Sequence, residues 1–263
     1  MSSSTYHQGH SEAVTRNHKR RSAEKDGAFV LPYLKPNYNI LDVGCGPGTI
    51  TAGFASYVPS ALVIGIDLSP EVIEQAAKLA APTNSGNLSF ETGNVLDGLR
   101  FPTGMFDVVF CNQTLLHIPD PVAALKEMKR VCKPSTGLVA CREGCLPVQW
   151  HPHLPGLRLQ DECMSSNLGG RTGLQVHAWA REAGFSNITP GFGKEVHWGE
   201  EDRIETADTF VARLETSKEI KESYLKAGAS EEGLAEIIRD LRRWKEDPDG
   251  LWVLVQAEVI CRC

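Results

Sequence analysis

No apolar run in this 263-residue chain approaches the roughly 20 residues needed to cross a bilayer, so no membrane span is expected. The opening MSSSTYHQGHSEAV is polar and has no apolar core of the kind a secretory signal carries. The eight cysteines include no CxxC pair. Cys45, Cys111 and Cys141 fall inside expected core strands, which suits buried thiols in a reducing, cytoplasmic setting better than a disulfide framework. Cys261-Arg262-Cys263 is a lone CxC. Basic charge is also scarce: 27 Lys and Arg stand against 33 Asp and Glu, a net charge of −6. The only dense basic run, HKRR from His18 to Arg21, reads as a solvated helix face, so no nucleic-acid partner held mainly through phosphates is expected. His151-Pro-His153 has metal-binding atoms, but no carboxylate set supplies a third ligand, so no metal is expected.

What is present is an ordinary globular composition, 41% hydrophobic and 23% charged, enough for one core with a small appendage. Short β-prone runs at Asn39–Val43, Ala61–Asp67, Leu88–Thr92, Phe106–Cys111 and Gly137–Arg142 alternate with helical patterns. In DPVAALKEMKRVC the residues Val122, Leu125, Met128 and Cys132 follow helical spacing. Ser69-Pro70 and Asp120-Pro121 each put a capping side chain before a proline at the first helical position. Strand–helix alternation with nearly continuous apolar strands predicts an α/β, doubly wound, mostly parallel sheet whose strand ends share one ligand edge. Further on, TGLQVHAWAREAGF predicts a helix ending at Gly184 and Asn187–Gly191 a strand. The stretch from Glu200 to Asp247 predicts two or three amphipathic helices with breaks near Ser217 and Ala229. LWVLVQAEVICRC predicts a last strand.

NILDVGCGPGTIT, Asn39 to Thr51, reads as a buried strand that breaks into glycine and restarts as a helix. Glycine permits positive φ and lets a ligand touch the main chain with no Cβ in the way. Asp67 closes the next strand in VIGIDLS, where an acid can accept hydrogen bonds from both ribose hydroxyls. It could instead cap the helix starting at Pro70, but Ser69 already fills that role. A dinucleotide fingerprint would want glycine where Thr49 stands.

The loop DVGCGPG resembles the first motif of class I S-adenosylmethionine (SAM)-dependent methyltransferases. GIDLS, ETGNVLD and FDVVFCNQTLLHIPDPVAALKEMKRVCKPSTG extend the likeness, which is nearest to the ubiquinone/menaquinone-biosynthesis type. The resemblance implies a Rossmann-like sheet of seven strands with an antiparallel C-terminal strand. It implies a lid over residues 1–36, a SAM-binding core over 37–197 and 250–263, and a helical insertion over 198–249 that shapes the acceptor pocket. Gly44 and Gly46 would meet the methionyl part through the main chain, Asp67 the ribose, Leu68 the adenine face, and Asn94 with Val95 the adenine edge. Asn112 and Gln113 would sit near the methionine portion, with Arg21 also on the cofactor. Relatives commonly carry Asp where Asn94 stands, so the contact here is made without charge.

SAM carries an activated methyl and leaves as S-adenosylhomocysteine; the protein supplies position and, for most acceptors, a proton acceptor. The candidates for that role are His117, Glu143 and, from the lid with Tyr6 and His18, His10. Glu143 has a plain surface carboxylate as its other reading, and His117 a structural one. Trp179, Trp198, Phe192 and Phe210 offer aromatic surface for a flat acceptor. The expected activity is methyl transfer to a small molecule, aromatic or polyketide-like and of secondary metabolism, by a monomer or homodimer. The alternatives are a SAM-binding protein that catalyses a non-methylating reaction such as a cyclisation, or a non-catalytic SAM-binding module.

Overall fold

A computed structural model of the chain describes residues 21–83 and 86–263. Tyr6, His10, His18 and the rest of the expected lid before Arg21 lie outside the described residues.

Seven strands form one sheet: β1 (Ile40–Val43), β2 (Val63–Asp67), β3 (Leu88–Thr92), β4 (Val108–Asn112), β5 (Leu138–His151), β6 (Asn187–His197) and β7 (Leu251–Arg262). Their order is β3-β2-β1-β4-β5-β7-β6, and the C-terminal strand β7 is the antiparallel one. Ile40 pairs with Val63 on one side and Val108 on the other, and Val109 pairs with Val139, all in parallel register. The order reverses between β1 and β4, which makes the carboxyl ends of those strands the switch point where an α/β sheet binds ligands.

All four residues of β1 and all five of β4 are buried, because helices cover both sheet faces. Leu41, Val43, Ile64 and Val109 pack on one face with Leu125 and Met128; Ile40, Val63, Val108 and Phe110 pack on the other with Phe54. Both faces being covered is what removes the polar alternation of a half-exposed strand. The helix α4 (Pro121–Val131) buries Leu125 and Met128 completely, and each such side chain contributes about 1.5–3 kcal/mol of transfer free energy. Its start is set by Asp120, whose Oδ1 accepts the Ala123 N–H at 2.8 Å. Ser69 does the same for α3 (Pro70–Ala80), accepting the Val72 N–H at 3.3 Å. Both caps fall where the sequence puts them. Before β1 lies a short helix, α1 (Ala23–Asp26), and between β1 and β2 lies α2 (Thr49–Tyr57).

Elsewhere the elements differ from the expectation. Strand β5 continues past Arg142 to His151; its extension, EGCLPVQWH, carries acid, glycine and proline, which hide its period. Strand β6 likewise continues past Gly191 to His197. The helix expected from Thr172 to Gly184 opens as a 3₁₀ turn and becomes α6 only at Val176 (Val176–Glu182), with Gly184 at φ +91° beyond its end. A helix α5 (Pro155–Asn167) was not expected from the pattern. Its buried face includes Gln160 and Asp161 beside Leu157 and Cys163, so the stripe is not apolar enough to read. The charged stretch resolves into α7 (Glu200–Thr216), α8 (Lys218–Lys226) and α9 (Glu231–Glu246), broken at Ser217 and around Ala229 as expected.

The chain divides into two compact units. Within the described residues one comprises 21–143, 174–192 and 257–263, and the other comprises 144–173 and 193–256. The first holds the glycine loop.

Candidate functional site

The glycine loop leaves β1 with three residues in the left-handed region: Gly44 at φ +73°, Gly46 at +54° and Gly48 at +77°. Only glycine takes these angles without strain. A Cβ on Gly44 would also lie 2.4 Å from the Thr114 hydroxyl oxygen, and one on Gly48 would lie 2.5 Å from the Phe90 ring. The loop is tied to the next strand by the Gly44 and Cys45 N–H groups, which both donate to the Ile66 carbonyl. Asp67 completes the tie. Its Oδ2 accepts the Gly46 N–H and its Oδ1 the Ser69 N–H, each at 3.1 Å. A carboxylate has about four acceptor positions, so Asp67 keeps capacity for two ribose hydroxyls while anchoring the loop.

Beneath the loop sits an acid that sequence reading passed over. Asp42 in β1 is buried and accepts the Thr51 hydroxyl at 2.6 Å. Burial pushes its pKa up to about 7; the Thr51 hydrogen bond opposes that rise and the nearby Asp67 charge adds to it. The signal was available in LDVG, since an acid inside a fully buried strand needs a partner.

The second wall comes from the end of β4. Asn112 is buried, and its Oδ1 accepts from Arg142 Nη1 at 3.3 Å. Its Nδ2 finds no hydrogen-bond partner among the described residues. Arg142 is itself buried and also donates to Asp26 (3.0 Å) and Glu258 (3.3 Å), joining α1, β4, β5 and β7 through one guanidinium. Gln113 follows with φ +55°, uncommon for a residue with a side chain. Its N–H donates to the Arg142 carbonyl at 2.8 Å. The turn Leu115–His117 comes next and ends in half-buried His117, whose N–H donates to the Thr114 carbonyl at 3.0 Å.

Glu143 is completely buried. Its Oε1 accepts the backbone N–H groups of Thr114 (2.8 Å) and Leu115 (2.7 Å), while Oε2 has no hydrogen-bond partner among the described residues. Burial raises its pKa to about 7, against the pull of those N–H groups and of the Arg21 charge. Glu143 therefore faces the loop after β4 and not bulk water, and Arg21 lies within electrostatic reach of it. Asn94 is committed to its own turn: Nδ2 donates to Asp97 and Oδ1 accepts the Leu96 N–H. The Val95 side chain is in the core, so only its main chain is open to a ligand, whereas Leu68 is 49% exposed.

These groups fit an adenosyl sulfonium. Acceptors at Asp67 suit ribose, Leu68 offers an apolar face for a flat base, and glycine main chain and Asn112 Nδ2 stand at the ends of β1 and β4. Among the described residues no group of three or more His, Cys, Asp or Glu side chains is placed to hold a metal ion.

The other unit holds its own cluster. Trp150 packs edge-to-face against Trp244 (centroids 5.1 Å apart) and Trp252 (6.4 Å), and Phe210 lies 6.3 Å away. Of the aromatic residues picked out by sequence, only Phe210 belongs to this cluster. Trp179 packs on the main core, and Phe192 and Trp198 are exposed. Trp150 and Trp252 escaped notice because they come from separate elements distant in the chain.

Residues 34–184 match the model of a family described as a methyltransferase domain. The chain is 34% identical over 278 residues to the probable methyltransferase ltbC of Aspergillus luteorubrus, covering 97% of this chain and 96% of that protein. It is 32% identical over 269 residues to an uncharacterised methyltransferase of Schizosaccharomyces pombe, covering 97% and 95%. The crystal structure of the YcgJ protein of Bacillus subtilis shares the fold at 18% identity and a TM-score of 0.60, covering 89% of this chain and 97% of that one.

Proposed function

The chain belongs to the class I SAM-dependent methyltransferases, and from that membership we propose that it methylates a small, flat, oxygen-bearing metabolite of the aromatic or polyketide kind. The observation that carries the cofactor half of this reading is the pairing of Gly46 N–H with Asp67 Oδ2. One carboxylate both shapes the glycine loop and offers acceptors for a ribose. The acceptor half is supported by the local likeness to a ubiquinone biosynthesis O-methyltransferase of Xanthomonas oryzae, 37% identical over 95 residues.

SAM, when bound, supplies a methyl group already activated by its sulfonium charge. The task left to the chain is orientation and proton handling. Gly44 and Gly46 present main chain to the methionyl part, Asp67 takes the ribose, Leu68 covers the base, and the main chain of Asn94 and Val95 meets its edge. Asn112 and Gln113 line the region near the methyl donor, and Arg21 belongs to the same wall. Glu143 acts as a positioning residue: by holding the N–H groups of Thr114 and Leu115 it fixes the loop that carries Gln113 and His117. His117 at the end of that loop is the candidate proton acceptor, with His10 as the second candidate.

Incubation with methyl-labelled SAM and a panel of hydroxylated aromatic metabolites tests the whole reading. Stoichiometric S-adenosylhomocysteine with a product 14 mass units heavier than its acceptor (about one CH₂) is the expected result. Conversion of an acceptor without S-adenosylhomocysteine would replace it with the non-methylating alternative. SAM binding with no conversion of any acceptor would favour a binding module.

A further inference from the structure

The Cys261-Arg262-Cys263 run brings a second thiol to the core of the unit that holds the glycine loop. Cys261 is fully buried there. Residues two apart in a strand share a face, so Cys263, just past β7, returns to the same core, where it is half-buried. Arg262 between them lies 5.5 Å from the Tyr33 ring. Gly137 brings the two distant parts of the chain together. Its carbonyl accepts the Cys263 N–H at 3.1 Å, and a Cβ on it would lie 2.5 Å from Cys132 Sγ. The Cys132 and Cys263 thiols are in hydrogen-bond contact with each other.

The two sulfurs are not equivalent. Cys132, at the end of α4, is 2% exposed, and its hydrogen bond to Cys263 together with burial holds its thiol well above the usual range. That same hydrogen bond, helped by the Lys129 ammonium and opposed by burial, draws Cys263 below it. Lys129 is itself held in place, donating to the Gly184 carbonyl and lying 4.9 Å from the Phe185 ring. A half-buried thiolate beside an ammonium, with a protonated thiol touching it, is the arrangement of an attacking and a resolving cysteine. The other cysteines differ, since all are buried. Cys111 and Cys141 also touch, as register partners on β4 and β5, but both are fully enclosed.

We propose that Cys132 and Cys263 form a reversible oxidation site whose co-reactant is a hydroperoxide, and that oxidation closes a disulfide tying the residue after β7 to the end of α4. With hydrogen peroxide, Cys263 Sγ attacks one peroxide oxygen and the O–O bond breaks. The sulfur becomes a sulfenic acid, and the other oxygen leaves as water with the proton that the thiol gave up. Cys132 Sγ then attacks the sulfenic sulfur. The S–O bond breaks, and the hydroxyl leaves as a second water with the Cys132 proton. Two thiols and one peroxide thus give one disulfide and two waters. A dithiol restores the starting pair by exchange. The site stands apart from methyl transfer and does not depend on the acceptor.

Native mass spectrometry of the full, reduced chain before and after hydrogen peroxide, followed by dithiothreitol, tests it. The wild-type chain is expected to lose about 2 mass units, for the two thiol hydrogens, and to regain them with the dithiol. Peptide mapping of the oxidised chain should join Cys132 to Cys263. Cys263→Ser should lose no mass under the same treatment. Cys132→Ala removes the resolving thiol, so Cys263 should stay as a sulfenic acid that dimedone captures. If Cys132→Ala fails to fold, the half-buried Cys263→Ser and the peptide map carry the test. A wild-type chain whose mass does not fall would overturn the proposal, as would a loss that persists in Cys263→Ser. A map that joins Cys111 to Cys141 would also overturn it. So would a dimer linked through Cys263, which would mean that this thiol meets another chain more readily than it meets Cys132.

Discussion

Glu143 Oε1 lies 2.8 Å from the backbone nitrogen of Thr114 and accepts its N–H. That contact joins the middle of β5 to the loop after β4, and Thr114 in turn fills the space above Gly44. One buried acid thus ties β5 to the turn that packs against the glycine loop. A base for the reaction would have to reach the acceptor, whereas Glu143 is enclosed. Glu143→Gln keeps an oxygen to accept the two N–H groups, so it should fold, bind SAM within about threefold of wild type and keep most of kcat. Glu143→Ala leaves those donors buried without an acceptor, a loss of about 1–3 kcal/mol for each. The expected fall in Tm is roughly 4–24 °C at the 2–4 °C per kcal/mol usual for a domain of this size. A large kcat loss in Glu143→Gln at unchanged Tm would instead assign Glu143 to proton transfer.

Gly44→Ala meets two obstacles at once: a left-handed φ of +73° and the Thr114 hydroxyl at 2.4 Å. Converting Thr114 to Gly removes the second obstacle and leaves the first. SAM binding should therefore fall by more than about tenfold in Gly44→Ala and recover only partly in the double variant, since αL strain of about 1 kcal/mol or more remains. Calorimetry on the three proteins reads this directly. Full recovery would mean that the clash alone mattered.

Asp42 gives a pH dependence with a definite sign. Its carboxyl, pushed from 3.8 to about 7 by burial, binds its proton more tightly in the folded chain than in the unfolded one. Its contribution to stability is therefore greatest at low pH, declines as pH rises from about 4 to about 7, and is flat above. Glu143, also raised to about 7, acts in the same direction. Asp42→Asn keeps an oxygen for the Thr51 hydroxyl and removes the titration. Its Tm should vary less with pH between 5 and 8 than that of the wild type, with a gain of about 1 to a few kcal/mol at pH 8. Parallel Tm–pH curves for the two proteins would contradict this assignment.

How far the chain could be read follows from what each element buries. Strands β1, β2 and β4 were legible because both faces are covered, so apolar residues run without interruption. Helices α3 and α4 announced themselves through Ser69-Pro70 and Asp120-Pro121, a local chemistry that needs no tertiary context. The glycine loop and Asp67 were legible for the same reason. Asp42, Thr114 and Arg142 were not, because their roles depend on contacts between strands distant in the chain. Helix α5 was hidden by Gln160 and Asp161, polar residues on a buried face. A pattern search discards such positions, so the helix stays hidden until its packing partners are known.

Asp67 carries the sharpest cofactor prediction. Its two oxygens already hold Gly46 N–H and Ser69 N–H, so replacement affects both the loop and the ribose. Asp67→Asn can still accept through one oxygen, but its NH₂ group turns a donor toward either Gly46 N–H or Ser69 N–H. Asp67→Ala removes every acceptor. Hydrogen bonds to a charged group contribute about 1.5–3 kcal/mol each, so SAM affinity should fall roughly 10- to 100-fold in Asp67→Ala and by an intermediate amount in Asp67→Asn. A ligand lacking the ribose 2′-hydroxyl should lose affinity against the wild type but little against Asp67→Ala. That non-additivity separates ribose contact from loop support. If 2′-deoxy and normal ligands lose equally in both proteins, Asp67 is a loop anchor alone and the ribose is held elsewhere.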